Sequence, residues 1–469
     1  MRMTLISFIV SAILALCGSI RMSAGVPVIP APVSSDMTET VFNKKNIDRV
    51  SFVKVKELPA EAYELAIKKN KIIIKASDDA GRFYALQTLN QLSEADVMYC
   101  GVIKDSPRYE WRGFMLDEAR HFSGKERVKD ILDLMARYKL NRFHWHLSDD
   151  QGWRVDIKAY PELCTVGGIG NYSDKNAPAQ FYTQDEIREI IAYAAERHIE
   201  VIPEIDMPGH ATAFTKAFPE LSAGHRTVNP ADPQLYVVLE TIMKELADLF
   251  TGRYIHIGGD EVSTRGWREQ PQMQDFMKKE GIASHDDIQK YFEKRLSEIV
   301  AKTGKISIAW DDVLSGEMDK DNTIIHWWRS DHPETLEKCM KEGYKTIISP
   351  WKAFYLDYVQ DIRCKEGHLV WEKAVNSLQG IYEYQIQENA NVIGLQANLW
   401  TERVRTKDRL NYMIFPRLIA LAERSWTPDE NLDYEDFIKR LESEYNYLDS
   451  IGVFYYDVRD FDRHPEPRR

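Results

Sequence analysis

Residues 111–150 read WRGFMLDEARHFSGKERVKDILDLMARYKLNRFHWHLSDD. An apolar run at 111–117 ends in Asp117. Residues 125–140 then place Val128, Ile131, Leu132, Met135 and Tyr138 at helical spacing, and a second apolar run follows at 142–147. Strand, amphipathic helix and strand form one unit, and the chain on the C-terminal side repeats it. A helix opens on Thr183-x-x-Glu186, a capping box that satisfies free backbone N–H groups. Ile187, Ile190, Ile191 and Ala194 mark its buried face, and the third strand follows at 201–205. A helix at 233–250 precedes a fourth strand at 254–258, and a helix at 285–301 precedes a fifth at 306–310. The sixth strand is read at 323–328, a helix near 334–342 leads to the seventh at 345–349, and the eighth lies at 392–395 with a closing helix at 413–424. Residues 351–390 have mixed periodicity and make the weakest unit.

Eight such units predict an α/β fold, a (β/α)8 TIM barrel with insertions, over residues 107–469. A doubly wound open sheet would be expected to carry a Gly-rich phosphate-binding turn after its first strand, and none is present there. On the N-terminal side, residues 26–35 (VPVIPAPVSS) are Pro-rich and extended. Residues 72–74 read as a strand, Asp78-Asp79-Ala80-Gly81 as a turn and cap, and 82–92 as a helix with Phe83, Leu86, Leu89 and Leu92 on one stripe. This predicts a small N-terminal α/β domain over 25–106, punctuated by Ser106-Pro107.

The first 24 residues have a basic start at Arg2 and a short apolar run at 5–16, a secretory signal pattern too short to span a bilayer. Cleavage is expected near Ser19 or Ala24. Leu14-Ala15-Leu16-Cys17 alternatively resembles a lipoprotein box that would anchor the chain at Cys17. Either ending predicts an exported protein of the periplasm or cell surface. No second apolar stretch predicts a transmembrane span. Cys100, Cys164, Cys339 and Cys364 are widely spaced, neither a disulfide framework nor a C-x-x-C zinc pattern. The 469 residues carry 73 acidic and 61 basic side chains, a net charge of −12 that argues against nucleic acid as partner.

Barrels place their chemistry at the C-terminal strand ends. Those ends hold Asp117 and Arg120; His144, His146 and Asp149-Asp150; Glu204, Asp206 and His210; His256, Asp260 and Glu261; Trp310-Asp311-Asp312; Trp327-Trp328-Arg329; Trp351, Tyr355 and Asp357; and Trp400 and Glu402. Carboxylates beside flat aromatic rings suit a sugar, whose C–H faces stack on Trp while its hydroxyls bond Asp, Glu and Arg. Asp260-Glu261 is the sharpest pair. Gly258 and Gly259 before it permit close backbone approach, and two carboxylates so close should leave one protonated to higher pH, as a general acid requires. By itself Asp-Glu is a common dipeptide at helix starts, and the barrel register lends it weight. His144-x-His146 with His210 and Asp260 would suit a metal-dependent hydrolase, but such barrels carry His-x-His on the first strand and here it lies on the second. No metal and no cofactor is assigned. Asp149 is preferred to Asp150 as the partner of His210.

Trp111-Arg112-Gly113 with Asp117 and Arg120, then HWHLSDDQGWR, EIDMPGH, HIGGDE, AWDD, YLD and LWTE, together resemble the family 20 glycoside hydrolases, the exo-β-N-acetylhexosaminidases, in family order over about residues 107–430. Residues 62–92 resemble that family's small N-terminal domain, although the segment from Ile29 to Tyr63 reads as short by a strand or two. The resemblance implies a glycan substrate with a terminal β-linked N-acetylhexosamine and substrate-assisted retaining hydrolysis through an oxazolinium intermediate. It implies Glu261 as acid and base, Asp260 as the group that orients the acetamide N–H, and Tyr355 as the donor to its oxygen. It further implies Trp310, Trp328 and Trp400 as pocket walls, Arg120 and Glu402 on O3 and O4, Asp357 on O6, and Asp149 with His210 tuning Glu261. A lacto-N-biosidase-like member with a deeper pocket is the near alternative. A non-catalytic sugar-binding barrel is disfavoured because every catalytic position is filled.

Overall fold

The computed structural model describes residues 26–316, 318–365 and 374–468. The export signal read at 1–24, with Cys17, lies outside the described residues. The N-terminal sheet contains β1 (Ser34–Val41), β2 (Val50–Lys54), β3 (Tyr63–Lys68), β4 (Lys71–Ala76) and β5 (Tyr99–Asp105), in the order β1-β5-β3-β4-β2. Thus the segment that resembles a shortened domain holds two strands, both at sheet edges. β1 buries only Met37 and so carries no alternating apolar signal. Helix α1 (Asp79–Glu94) covers one face, and the Asp78 carboxylate accepts from Gly81 N at 2.7 Å as the turn predicts. Its buried stripe is Tyr84, Ala85, Leu89 and Leu92 against Leu65, Ile72, Ile74 and Ile103. Phe83 and Leu86, expected at the centre, lie at the margin.

The barrel closes through β6 (Trp111–Asp117), β7 (Arg142–His146), β8 (Glu200–Glu204), β9 (Tyr254–His256), β10 (Ile306–Trp310), β11 (Thr323–Trp327), β12 (Thr346–Ile348) and β13 (Val392–Leu399), each parallel to its neighbours. Inward positions follow the period of two and change character along the axis. At the N-terminal end Trp111, Ile202, Tyr254, Ile308, Ile324, Ile347 and Ile393 form an apolar plug. Two residues further along their strands, Glu204, His256, Trp310 and His326 are fully buried, as is His144 on β7. The barrel therefore has a dry base and a polar, hydrogen-bonded upper layer beneath its C-terminal mouth.

Outer helices include α2 (Lys125–Arg137), α3 (Gln184–Ala195), α4 (Pro233–Leu249), α5 (Asp286–Lys302), α6 (Pro333–Glu342), α7 (Arg417–Trp426) and α8 (Tyr434–Ser450). The Thr183–Glu186 capping box of α3 is formed. Between β10 and β11 the described residues form a 3-10 turn over Asp311–Gly316 and no α-helix. One expectation is corrected. The closing helix read as continuous at 413–424 is two, Lys407–Ile414 and Arg417–Trp426, parted by Pro416, which has no N–H to donate. α8 was not read from the sequence; its Arg440 grips the buried Glu423 of α7 with Nη1 at 2.6 Å. Trp426 of α7 packs into the N-terminal domain's core and donates to Asp105 at 2.9 Å, with Lys139 Nζ also 2.9 Å from Asp105. Cys100, Cys164, Cys339 and Cys364 are buried free thiols. Among the described residues no helix is long and apolar enough to cross a membrane.

Candidate active site

The polar mouth of the barrel opens into a cavity of about 370 Å³. Its lining includes Arg120, His210, Asp260, Glu261, Trp328, Tyr355, Asp357, Trp400 and Glu402, so nine of the eleven residues singled out from the sequence meet here. They come from the ends of the first, third, fourth, sixth, seventh and eighth strands.

The fourth strand stops at His256 and turns through Gly258 (φ 70°) and Gly259 (φ 100°). A Cβ on Gly258 would fall 1.8 Å from Asp206 Oδ1, so glycine is required there by contact as well as by backbone angle. This turn swings both carboxylates of Asp260-Glu261 toward the cavity. Glu261 itself holds φ 50° and His210 φ 47°, left-handed conformations costing of order 1 kcal/mol each for a side-chain-bearing residue. These two residues face each other, with His210 Nε2 3.6 Å from Glu261 Oε2.

Asp149 is 1% exposed and stands behind this pair. Its oxygens meet Arg120 Nη2 at 2.8 Å, His146 Nε2 at 3.0 Å and His210 Nδ1 at 3.1 Å. It does not line the cavity, which corrects its expected place among substrate-binding residues: it acts through Arg120 and His210. Burial alone would raise its pKa, yet the charges of Arg120 and His210 hold Asp149 well below the usual carboxylate range. Burial likewise opposes charge on His210, and Asp149 overcomes it, raising His210 well above an ordinary histidine.

The pair divides its proton differently from the expectation. Glu261, with a side chain 54% exposed, is lowered by the His210 imidazole that faces it, against partial burial. Asp260 is raised by burial, with the neighbouring Glu261 charge adding to it and His210 opposing. Behind Asp260, the buried Asp206 is pushed well up by burial and by the Asp260 charge. The carboxyls raised here are therefore Asp260 and Asp206, not Glu261.

Trp328 supplies one wall. Its ring stacks on Tyr355 at 6.1 Å and 21°, and its indole N–H donates to Asp312 at 2.9 Å. Trp327 points away, donating to Thr335 on α6. Trp400 makes a second wall, with the Arg120 guanidinium 4.9 Å from its ring centroid. Trp310 does not line the cavity. It is 1% exposed, stacks on His326 and donates to Glu204 at 2.9 Å, so it forms the floor one layer below Trp400. The reason is register: Trp310 is the last residue of its strand and points in, whereas Trp328 and Trp400 lie one residue beyond theirs. Asp357 and Glu402 are raised by burial, Asp357 also by the Glu402 charge, while Arg120 opposes the rise at Glu402. Asp357 Oδ1 is buried with no protein partner, an acceptor open to a ligand hydroxyl.

The cavity also takes in Asp312, Arg329 and Trp351, read at strand ends without an assigned role, and Asp331, His332 and Tyr358, which were not singled out. Trp351 was legible as a strand end, and its indole donates to Asp331 at 3.0 Å. His332 and Tyr358 lie in loops without a motif. Among the described residues, close groups of three metal-capable side chains include His144-His256-His326 and sets drawn from His146, Asp149, Asp150, Asp206, His210 and Asp260. His144 and His146 do not converge with His210 and Asp260; both face Glu204 instead.

Comparison with known proteins matches residues 109–429 to the glycosyl hydrolase family 20 catalytic domain and residues 20–106 to domain 2 of that family. A beta-hexosaminidase of Porphyromonas gingivalis is 36% identical over 85% of the chain, and one of Vibrio furnissii 38% identical over 77%. The chain spans 55% and 64% of the lengths of these two relatives. The crystal structure of a GH20 exo beta-N-acetylglucosaminidase from Vibrio harveyi, in complex with N-acetylglucosamine, superposes with a TM-score of 0.86 at 31% identity, covering 93% of this chain and 80% of that one.

Proposed function

The chain belongs to glycosyl hydrolase family 20, and from that premise we propose that it is an exo-acting, retaining β-N-acetylhexosaminidase that releases terminal GlcNAc or GalNAc from glycans. The observation that carries the reading is the Asp260-Glu261 turn at a cavity walled by Trp328, Tyr355 and Trp400 and bounded by Arg120, Asp357 and Glu402. Polar groups arranged around one sugar favour a chain end over an internal residue.

In this mechanism Glu261 protonates the glycosidic oxygen and then activates water. Asp260 accepts from the acetamide N–H and stabilises the positive charge that grows on the acetamide as its oxygen attacks the anomeric carbon. Tyr355 donates to that oxygen. Arg120 and Glu402 take O3 and O4, and Asp357 takes O6. Asp149 holds His210 with its Nε2 toward Glu261, which supports a paired acid rather than a free carboxylate. A sugar seated against Glu261 excludes water, raising its proton affinity toward what an acid needs.

We also propose export, on the basic start and apolar run of residues 1–24, with the periplasm or cell surface as destination. The deciding experiment for the activity compares aryl β-N-acetylglucosaminide with aryl β-glucoside. Turnover of the first and not the second is expected. Equal cleavage of both would remove the acetamide from the mechanism, and a folded protein inert to the first would remove the activity.

A further inference from the structure

Behind Asp149 the line of charged groups continues into the barrel core. His146 Nε2 lies 3.0 Å from Asp149 Oδ2, and its Nδ1 lies 2.5 Å from Glu204 Oε2. The ring and both carboxylates are buried, at 0% exposure for His146 and Glu204. The hydrogen positions follow from the neighbours. Trp111 Nε1 donates to Gln396 Oε1 at 3.1 Å, which turns the Gln396 amide N–H toward His144 Nδ1 at 3.0 Å. His144 therefore carries its proton on Nε2, which stands 2.9 Å from Glu204 Oε2. Trp310 donates to the other Glu204 oxygen at 2.9 Å. A carboxyl that takes the Trp310 indole N–H on one oxygen and meets the His146 imidazole on the other is held as an anion, the surrounding imidazoles outweighing burial. Asp149, against Arg120 and His210, is one as well. An imidazole whose two nitrogens each meet a carboxylate donates from both, and is an imidazolium.

We propose that His146, clamped as a cation between Glu204 and Asp149, is a positioning residue that sets the charge of the Asp149–His210 pair and with it the pH at which Glu261 releases its proton. The inference rests on Glu261 being the acid. The row alternates in sign from the core outward: Glu204, His146, Asp149, His210, Glu261. The other charged groups facing His146 act in known directions. Asp117 at the end of the first strand favours its charge, Asp206 beyond the third is raised by burial and adds little, and Arg120 shares Asp149 Oδ2 with it. Trp400 closes the remaining side, edge-on with its ring centroid 4.9 Å away. The imidazole pKa lies well above the usual value, as these anions require against burial.

Two variants and two readouts test this. His146→Gln keeps a donor for Asp149 but removes the cation; Glu204→Gln keeps the shape of the row but removes the anion that holds it. The loss of one positive charge roughly 10 Å from Glu261 raises its proton affinity, so the basic limb of kcat/KM against pH on aryl β-N-acetylglucosaminide moves up by about 0.5–1 pH unit in His146→Gln. An unshifted limb with a lower kcat means a merely structural role and overturns the proposal. In the ¹⁵N-histidine spectrum of the wild type at pH 8, one doubly protonated imidazole absent from His146→Gln is expected, and in Glu204→Gln it titrates to the neutral form. A neutral His146 in the wild type at pH 8 overturns the proposal even if His146→Gln fails to fold. If the wild type is inactive, the functional reading and the link to Glu261 both fall, which is distinct from an active wild type whose limb does not move.

Discussion

Replacing Gly258 by alanine tests whether the Asp260-Glu261 turn places the catalytic pair. Two terms act on the variant. The first is the backbone: φ 70° is left-handed and costs a side-chain-bearing residue roughly 1–2 kcal/mol. The second is contact, because the new Cβ would lie 1.8 Å from Asp206 Oδ1. Asp206 cannot swing aside freely, since that oxygen accepts from Gly259 N at 3.1 Å and the residue is buried. Breaking that bond in the interior adds about 1–3 kcal/mol. Gly281 separates the two terms: its φ is 71°, and a Cβ there meets nothing within 4 Å. Gly281→Ala should lose roughly 1–2 kcal/mol of stability and keep its turnover, while Gly258→Ala should lose roughly 2–5 kcal/mol. If the chain absorbs the clash by moving the turn, Asp260 shifts by about 1 Å and turnover falls by roughly 10²-fold. Urea unfolding followed by Trp fluorescence gives the stabilities, and aryl β-N-acetylglucosaminide hydrolysis gives kcat. Equal stability losses with equal kcat in the two variants would refute the argument that Asp206 packs the turn into place.

Glu261→Gln should lower turnover by about 10²–10⁴-fold while unfolding at the wild-type urea concentration or above, because the side chain is half-exposed and its backbone strain is unchanged; a large stability loss would contradict this. Arg120→Met leaves Asp149 without its closest cation and should destabilise by about 3–5 kcal/mol in urea unfolding, a loss under 1 kcal/mol counting against the buried pair. Burial pushes the Glu118 carboxyl up to about 8, so the folded state keeps a proton that the unfolded chain has released. Its contribution is present below the ordinary glutamate value and is lost as pH rises to about 8, at up to about 1.4 kcal/mol per pH unit relative to Glu118→Gln. Identical pH–stability curves for the two proteins would show that Glu118 is ionised. Finally, because Glu261 is held low by His210, binding an uncleavable N-acetylglucosamine analogue at pH 7 should take up a proton, seen as a dependence of the calorimetric enthalpy on buffer ionisation heat. Enthalpies independent of buffer would mean that Glu261 stays charged in the complex.

The barrel was legible because burial inside it enforces a period of two on the strands and 3.6 on the helices around them, and both survive in the residues of 111–150. The site was legible for the same reason, since a strand end fixes which side chains reach the mouth. What the pattern does not carry is depth. Trp310 and Trp328 both close an apolar run and look alike in sequence, but one is the last inward residue of its strand and the other lies one residue past the end, so one is floor and the other wall. Asp149 was legible as the partner of His210 yet not as a buried residue, because the hairpin that folds it inward, Ser148–Asp149 with Gly152–Trp153, is two residues long on each side. The edge strand Ser34–Val41 is polar on both faces, and its pairing with Tyr99–Asp105 rests on backbone hydrogen bonds that leave no residue pattern. His332 reaches the cavity from a loop, where composition does not specify direction.

Proton placement was the least legible feature, and its physics explains why. Two adjacent carboxylates invite the reading that the acid is the one with the raised pKa. The structure raises Asp260 and lowers Glu261. Asp260 is raised because it is buried beside the Glu261 charge. Glu261 is lowered, against its partial burial, because it faces a histidine that Asp149 keeps charged. Each cause is reversed by a sugar in the cavity. Covering Glu261 removes the water that stabilises its charge, while an acetamide N–H against Asp260, followed by the positive charge developing on that group, favours the Asp260 anion. The order of the two pKa values is thus a property of the pair together with its substrate. Neither dipeptide nor cavity alone determines it, and an acid poised by the arriving sugar is protonated only where a glycosidic oxygen is there to receive the proton.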